Sequence, residues 1–243
     1  MLTKDQAICI RTVDYSETSQ IVTFLTRAGG KISAIAKGSK RPKSTFGGPV
    51  ELLAQGAIVF SDSSRDKLAT LTEFEQQGRC GLSKDYFVLN CCLFATELVN
   101  GMTDDYDPHP ELYDSFSAFL RNADQHDKGD ILALLILFQL SLLKETGFRP
   151  ILNACANCGN AFSDRWGRSY FSSDANGLLC GDCQDSFPDK TSVTTVASEC
   201  MADLKKIAAA EQATLNEVER ILVYHFTQIL HKPTKMGKYI LGR

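Results

Sequence analysis

The sequence predicts an α+β protein: a five-stranded N-terminal β-barrel, then an all-helical domain carrying a four-cysteine, zinc-ribbon-like insertion. Three observations carry this reading. Residues 5–78 consist of short, β-branched runs separated by turn-rich pieces; from Ser83 onward the apolar residues recur with a period near 3.6; and two CxxC pairs interrupt that helical pattern.

The runs QAICIRTV, QIVTFLT, KISAIAKG, GAIVFSD and KLATLTEFE read as strands, with SETS, RAGGK, GSKRPKSTFGG and DSSRD between them. Five short strands around a long basic loop suit a small barrel, and on count alone an OB-fold and an SH3-like barrel both fit. The pattern changes near residues 79–82, which places the domains at 1–80 and 81–243. Ser83 is the candidate N-cap of a helix over SKDYFVLNCCLFATELVNGM. A second helix is expected from Pro110 to Asn122, and a third from Asp130 to Glu145, ending at Gly147 ahead of Pro150. Two more are expected over Thr194–Ala210 and Leu215–Leu230.

Composition is that of a globular protein, with 243 residues, 44% hydrophobic and 23% charged. The net charge of −3 is unevenly spread. Residues 1–80 hold 11 basic and 8 acidic residues, leaving 15 basic and 21 acidic for the rest. An anion-binding face on the first part only is one reading of that asymmetry, and a solvated surface is the other. The most apolar run, Ile131 to Leu143, is shorter than the ~20 residues of a membrane helix and contains Gln139. The first residues lack the apolar stretch of a signal peptide, so the expected location is the cytoplasm.

Nine cysteines without a secretory signal argue against a disulfide framework. Cys9, Cys80, Cys91, Cys92 and Cys200 read as buried small hydrophobes. The other four form Cys155-Ala-Asn-Cys158 and Cys180-Gly-Asp-Cys183, with 21 residues between the pairs. Two intervening residues let both sulfurs of a knuckle face one ion, and two knuckles complete a tetrahedron of thiolates at about 2.3 Å. Gly159 and Gly181 stand where the backbone must turn sharply. A redox CxxC or two disulfides are the competing readings, but a redox motif normally stands alone. One structural Zn2+ within residues 150–190 is therefore expected, clipping a segment with few apolar residues. Four thiolates leave no open coordination position, so a catalytic role is not expected. Arg165, Trp166 and Arg168 read as packing on the knuckles, with contact to a partner as the other reading.

The candidate nucleic-acid contacts are Lys31, Lys37, Lys40, Arg41 and Lys43, five cations in thirteen residues with no acid from Lys31 to Pro49. Charge along a flexible loop, with Tyr15 and Phe46 available to stack on bases, fits a single strand. Solvated lysines are the bland alternative. No Walker A sequence, Gly-rich dinucleotide loop or paired acid and base is present, and His109, His126, His225 and His231 read as surface or helix packing. An enzyme is therefore not expected. A zinc-bearing adaptor that binds only proteins is a further alternative.

Residues 14–53 (DYSETSQIVTFLTRAGGKISAIAKGSKRPKSTFGGPVELL) resemble the N-terminal signature of the RecO family. The matching pieces are Ser16–Ser19, Gly30–Lys31 and Ala36–Ser44. LLKETGFRPILNACANCG (residues 142–159) and FSSDANGLLCGDC (residues 171–183) resemble the family's two knuckle segments, in family order. The resemblance implies an OB-fold, a helical C-terminal domain with zinc, and a DNA repair and recombination mediator. It implies binding to single- and double-stranded DNA, annealing of complementary strands, and help in loading RecA onto DNA coated by single-strand-binding protein. The implied partners are RecR and the coating protein, whose acidic C-terminal tail is expected in an apolar groove near Lys144 and Arg149. A nucleoid-associated location follows, with no membrane contact. The end, HKPTKMGKYILGR, departs from the family's basic tail.

Overall fold

A computed structural model of the protein describes residues 2–61, 68–79, 85–123, 128–163 and 166–242. The chain forms two compact units, Met1–Lys84 with Thr96–Asp124, and Asp85–Ala95 with Gln125–Arg243.

In the first unit, β1 (Leu2–Asp14), β2 (Gln20–Thr26), β3 (Gly30–Ala36), β4 (Ala54–Ser61) and β5 (Ala69–Arg79) close a barrel in the order β1-β2-β3-β5-β4. The long β1 serves both neighbours. Its residues Leu2–Ile8 pair antiparallel with β4, and Ala7–Asp14 pair with β2 across a bulge between Cys9 and Arg11. The bulge supplies the bend that lets one strand reach two partners. The remaining seam joins β3 and β5 in parallel, Ala34 opposite Ala69 and Ile35 opposite Thr70. Alternation is cleanest in β3, where Ile32, Ala34 and Ala36 are buried and Lys31, Ser33 and Ile35 are not. Small residues (Ala7, Ala34, Ala36, Ala54, Ala69) interleave with Phe24, Phe60 and Phe74 to fill the narrow interior, the Phe24 and Phe74 rings lying 5.8 Å apart. A side chain at Gly56 would run into the Glu75 carbonyl, so glycine is what lets β4 and β5 close.

Helix α1 (Tyr86–Met102) is longer than either unit's share of it, and α2 (Pro110–Ala123) falls in the first unit. The expected cap Ser83 lies outside the described residues. Asp85 caps α1 instead, its Oδ1 accepting from the Phe87 N–H at 2.7 Å. The segment 96–124 covers the outer side of β2 and β3. Tyr106 N–H donates to the Lys31 carbonyl at 2.9 Å, the Arg27 guanidinium grips Asp114 through two bonds of 2.9 and 2.8 Å, and Leu25 and Thr26 are fully buried.

The second unit is built on α3 (Lys128–Glu145), α4 (Thr195–Ala202) and α5 (Gln212–Ile229), with a short α6 (Gly237–Ile240). Helix α3 is apolar on nearly all sides and sits in the core, with Ile131, Leu132, Leu135, Ile136, Leu142 and Leu143 fully buried. It ends at Gly147, which adopts φ +83°, with Phe148 N–H donating to Leu143 O and Gly147 N–H to Lys144 O. Among the described residues no helix is long and apolar enough to cross a membrane.

Two expectations need correction. The helix expected over 194–210 stops at Ala202 and is followed by a 3-10 turn, Leu204–Ala209. Asp203 is extended, and its carboxylate accepts from the Lys205 N–H at 3.2 Å, an alternative to helical bonding that short acidic side chains offer. The C-terminal part is also not all helix. Strands β6 (Ser169–Ser172), β7 (Gly177–Cys180) and β8 (Thr191–Val193) form an antiparallel sheet in the order β7-β6-β8. Cys9, Cys91, Cys92 and Cys200 are buried as expected, while Cys80 lies outside the described residues. Burial pushes the Cys9 thiol up to about 12 and that of Cys91 higher still, so both stay protonated and inert.

Candidate metal centre and basic loop

The four CxxC cysteines converge. The sulfurs of Cys155, Cys158, Cys180 and Cys183 all lie within 4.8 Å of one another, Cys158 and Cys180 at 3.9 Å. A tetrahedron with metal–sulfur bonds of about 2.3 Å has edges of about 3.8 Å, so this donor set fits one thiophilic ion without rearrangement. The first knuckle turns through Cys155 O accepting from Gly159 N–H at 2.9 Å, with Gly159 at φ +74°. The second turns through Cys180 O accepting from Cys183 N–H at 3.1 Å, and Gly181 needs no left-handed conformation there. Burial opposes ionisation of Cys155, but N–H groups of Cys158, Cys180 and Asn157 bring its thiol down to about 6. Burial and the Cys183 sulfur push Cys180 up to about 12.

Around the sulfurs pack Leu179, Trp166, Tyr170 and Phe187. Trp166 stands edge-on to Phe162 at 5.3 Å and donates its indole N–H to Ala161 O, so it is a packing residue. Arg168 is exposed, and Arg165 lies outside the described residues. Two side chains secure the sheet: Asp189, which no sequence pattern marks, and His225 of α5. The Asp189 carboxylate accepts from Ser172 Oγ (2.6 Å), Ser173 N–H (2.7 Å) and Asp174 N–H (3.1 Å), fastening the β6–β7 turn. From α5, His225 Nδ1 meets Ser173 Oγ at 2.9 Å and its ring stands edge-on to Phe171. Burial lowers His225 to about 4, so the ring is neutral.

A groove of about 600 Å³ opens elsewhere in this unit. Leu137, Leu140 and Lys144 of α3 form one side, Arg149 and Ile151 another, and Leu204 a third. Ile151 and Leu204 are each 42% exposed, so the lining presents open apolar surface, together with exposed Arg149 and with Lys144, whose ammonium lies 3.0 Å from Glu145 Oε1.

The five cations of the first unit separate into two kinds. Lys31 points away from the loop: its ammonium donates to Thr103 O (2.5 Å) and Asn100 O (3.2 Å) at the end of α1 and lies 3.5 Å from Asp105. It neutralises the carbonyl end of that helix. Lys37, Arg41 and Lys43 are exposed on the β3–β4 loop, and Lys40 is tied to Asp14 at 2.8 Å. The loop is pinned, where flexibility was expected. Gln20 is the missed residue: its amide donates to Val50 O (3.2 Å) and accepts from Val50 N–H (3.0 Å) and Ser39 Oγ (2.9 Å). Lys40 N–H donates to Thr18 O and Gly38 N–H to Ser19 Oγ, so the Ser-Glu-Thr-Ser segment holds this loop through its last two residues. Phe46 packs on the barrel core, leaving Tyr15, 62% exposed, as the accessible aromatic.

Both parts of the chain match family models, residues 1–78 that of recombination protein O N terminal and residues 83–236 that of recombination protein O C terminal. The chain is similar to the DNA repair protein RecO of Rhodopirellula baltica, 33% identical over 84% of this chain and 74% of the relative. It is also similar to that of Bacillus pumilus, 28% identical over 99% of this chain and 94% of the relative. For the Bacillus subtilis protein the figures are 31%, 77% and 71%. The chain therefore belongs to the RecO family of DNA repair proteins.

Proposed function

We propose that this protein is a non-enzymatic recombination mediator that holds single- and double-stranded DNA, anneals complementary strands, and with RecR helps load RecA onto DNA coated by single-strand-binding protein. In this reading it works in the cytoplasm, at the nucleoid. The observation that carries it is the pinned cationic loop on a closed barrel. Lys37, Arg41 and Lys43 stand exposed on the loop, and Tyr15 is exposed on the turn whose Thr18 and Ser19 hold that loop, features suited to tracking phosphates and stacking a base. The strand order β1-β2-β3-β5-β4 supports reading the barrel, residues 1–80, as an OB-fold, with residues 81–243 as the helical domain.

One Zn2+ held by Cys155, Cys158, Cys180 and Cys183 would supply cross-linking and no chemistry. The apolar groove with Lys144 and Arg149 at its rim suits an acidic, apolar peptide end, which is the character of the coating protein's tail. The test is annealing of complementary oligonucleotides coated with single-strand-binding protein. Acceleration over the protein-free rate is expected, and an unchanged rate would contradict the reading.

A further inference from the structure

One wall of the groove is made by the chain that becomes the first cysteine knuckle. From Arg149 to Ala156 this segment is laced to the turn preceding Cys180. Asn176 Nδ2 donates to Arg149 O (3.2 Å), Ile151 N–H to Asn176 O (2.9 Å), Leu178 N–H to Ile151 O (2.9 Å), and Ala156 N–H to Leu178 O (2.7 Å). The lace ends one residue past Cys155 on one strand and two residues before Cys180 on the other. Gly177 lies against Ile151 so closely that a Cβ there would strike the Ile151 carbonyl oxygen and nitrogen.

A metal held by the four cysteines would tie this ladder at its end, through Cys155 on one side and Cys180 on the other. Without the cross-link, the ladder would rest on strands of three and four residues and on the Asp189 and His225 contacts at the β6–β7 turn, with nothing fixing its cysteine end. Arg149 and Ile151 would then lose their fixed place in the groove wall, while Leu137, Leu140 and Lys144 stay on α3. We propose that metal occupancy of the four-cysteine site controls the groove, so that the protein captures an acidic, apolar peptide end with a free carboxylate only when the site is loaded. The proposal rests on reading the groove as the seat of such a peptide. Coupling of this kind is reciprocal: bound peptide tightens the metal by the same factor that metal tightens the peptide.

The experiment uses the full chain, loaded with one zinc or stripped by chelator, and a fluorescein-labelled short peptide of aspartates ending in two apolar residues and a free carboxylate. Loaded protein should bind at least tenfold more tightly than stripped protein, with affinity restored by added zinc, and the peptide should slow zinc extraction by a similar factor. Gly177→Ala, which leaves all four cysteines in place, should weaken the peptide about tenfold while one zinc per chain is retained. The milder Asn176→Gly should weaken it several-fold. Equal affinity of loaded and stripped protein, with helical circular dichroism unchanged, would overturn the proposal, as would wild-type affinity in zinc-loaded Gly177→Ala. Lys144→Ala with Arg149→Ala separates the two levels. If loaded wild type binds and this pair does not, the groove reading stands whatever zinc does. If loaded wild type fails to bind at all, the groove reading falls and the coupling with it.

Discussion

Glu219 lies on α5 with 1% of its surface exposed, and both its carboxyl oxygens are 2.9 Å from a single nitrogen, Nε2 of the equally buried Gln139. Burial outweighs that one donor and raises the carboxyl from 4.5 to about 8. The folded protein therefore keeps a proton that the unfolded chain loses above its ordinary carboxylate pKa. Stability from this group is intact below about pH 4.5 and declines as the pH climbs toward 8, where the folded state also ionises. At about 1.4 kcal/mol per pH unit, the full cost above pH 8 is about 4–5 kcal/mol. Glu219→Gln removes the titration, and the new amide can also donate to Gln139 Oε1, which is buried with no partner. The variant should lie within about 1 kcal/mol of the wild type at pH 5 and exceed it by about 2–4 kcal/mol more at pH 8 than at pH 5, a midpoint gain of about 1–2 M urea. The chain's one tryptophan, Trp166, lies in the same unit and reports its unfolding by fluorescence. His225 acts in the opposite direction. Held at about 4, it stabilises the unit fully above the unfolded value of 6.5 and less as pH falls through 4, but it is common to both proteins and cancels in the comparison. Equal midpoints at pH 8, or a gain of constant size from pH 5 to 8, would refute a protonated Glu219.

Other outcomes follow from the same reasoning. Lys31→Met should cost about 1–3 kcal/mol of stability, read by thermal unfolding, because it orphans the carbonyls of Asn100 and Thr103, and it should leave DNA affinity nearly unchanged. Gln20→Ala frees the loop from Val50 and Ser39, so circular dichroism of the barrel should persist while DNA affinity falls several-fold. Purified protein should contain one zinc per chain by atomic absorption, and Cys158→Ser should lower both zinc content and the Trp166-reported unfolding midpoint.

What the sequence announced and what it concealed divide along physical lines. Strands β1 to β5 and helices α2 and α3 are written locally, in alternation, in helical period and in the Gly147 stop. The knuckles were legible because metal ligation demands a fixed spacing. Hidden from local pattern was everything requiring long-range contact. Lys31 reads as one more loop cation until the end of α1 meets it 69 to 74 residues later. Gln20 looks like an ordinary strand residue, yet its amide organises a loop 30 residues away. Strands β6 to β8 span three or four residues each, too short for alternation to register, and their sheet is specified by Asp189, His225 and Gly177.

Whether the pinned loop grips the phosphates of single-stranded DNA is decided by a titration with a single-stranded oligonucleotide at several salt concentrations. Wild type is compared with Lys37→Ala, Arg41→Ala and Lys43→Ala combined. Each lost phosphate contact removes about 0.7 from the slope of log affinity against log salt, so the triple variant should lose about 2. Its folding should be nearly unchanged, since all three side chains are exposed. Wild-type slope and affinity in the triple variant at every salt concentration would show that the loop does not hold DNA.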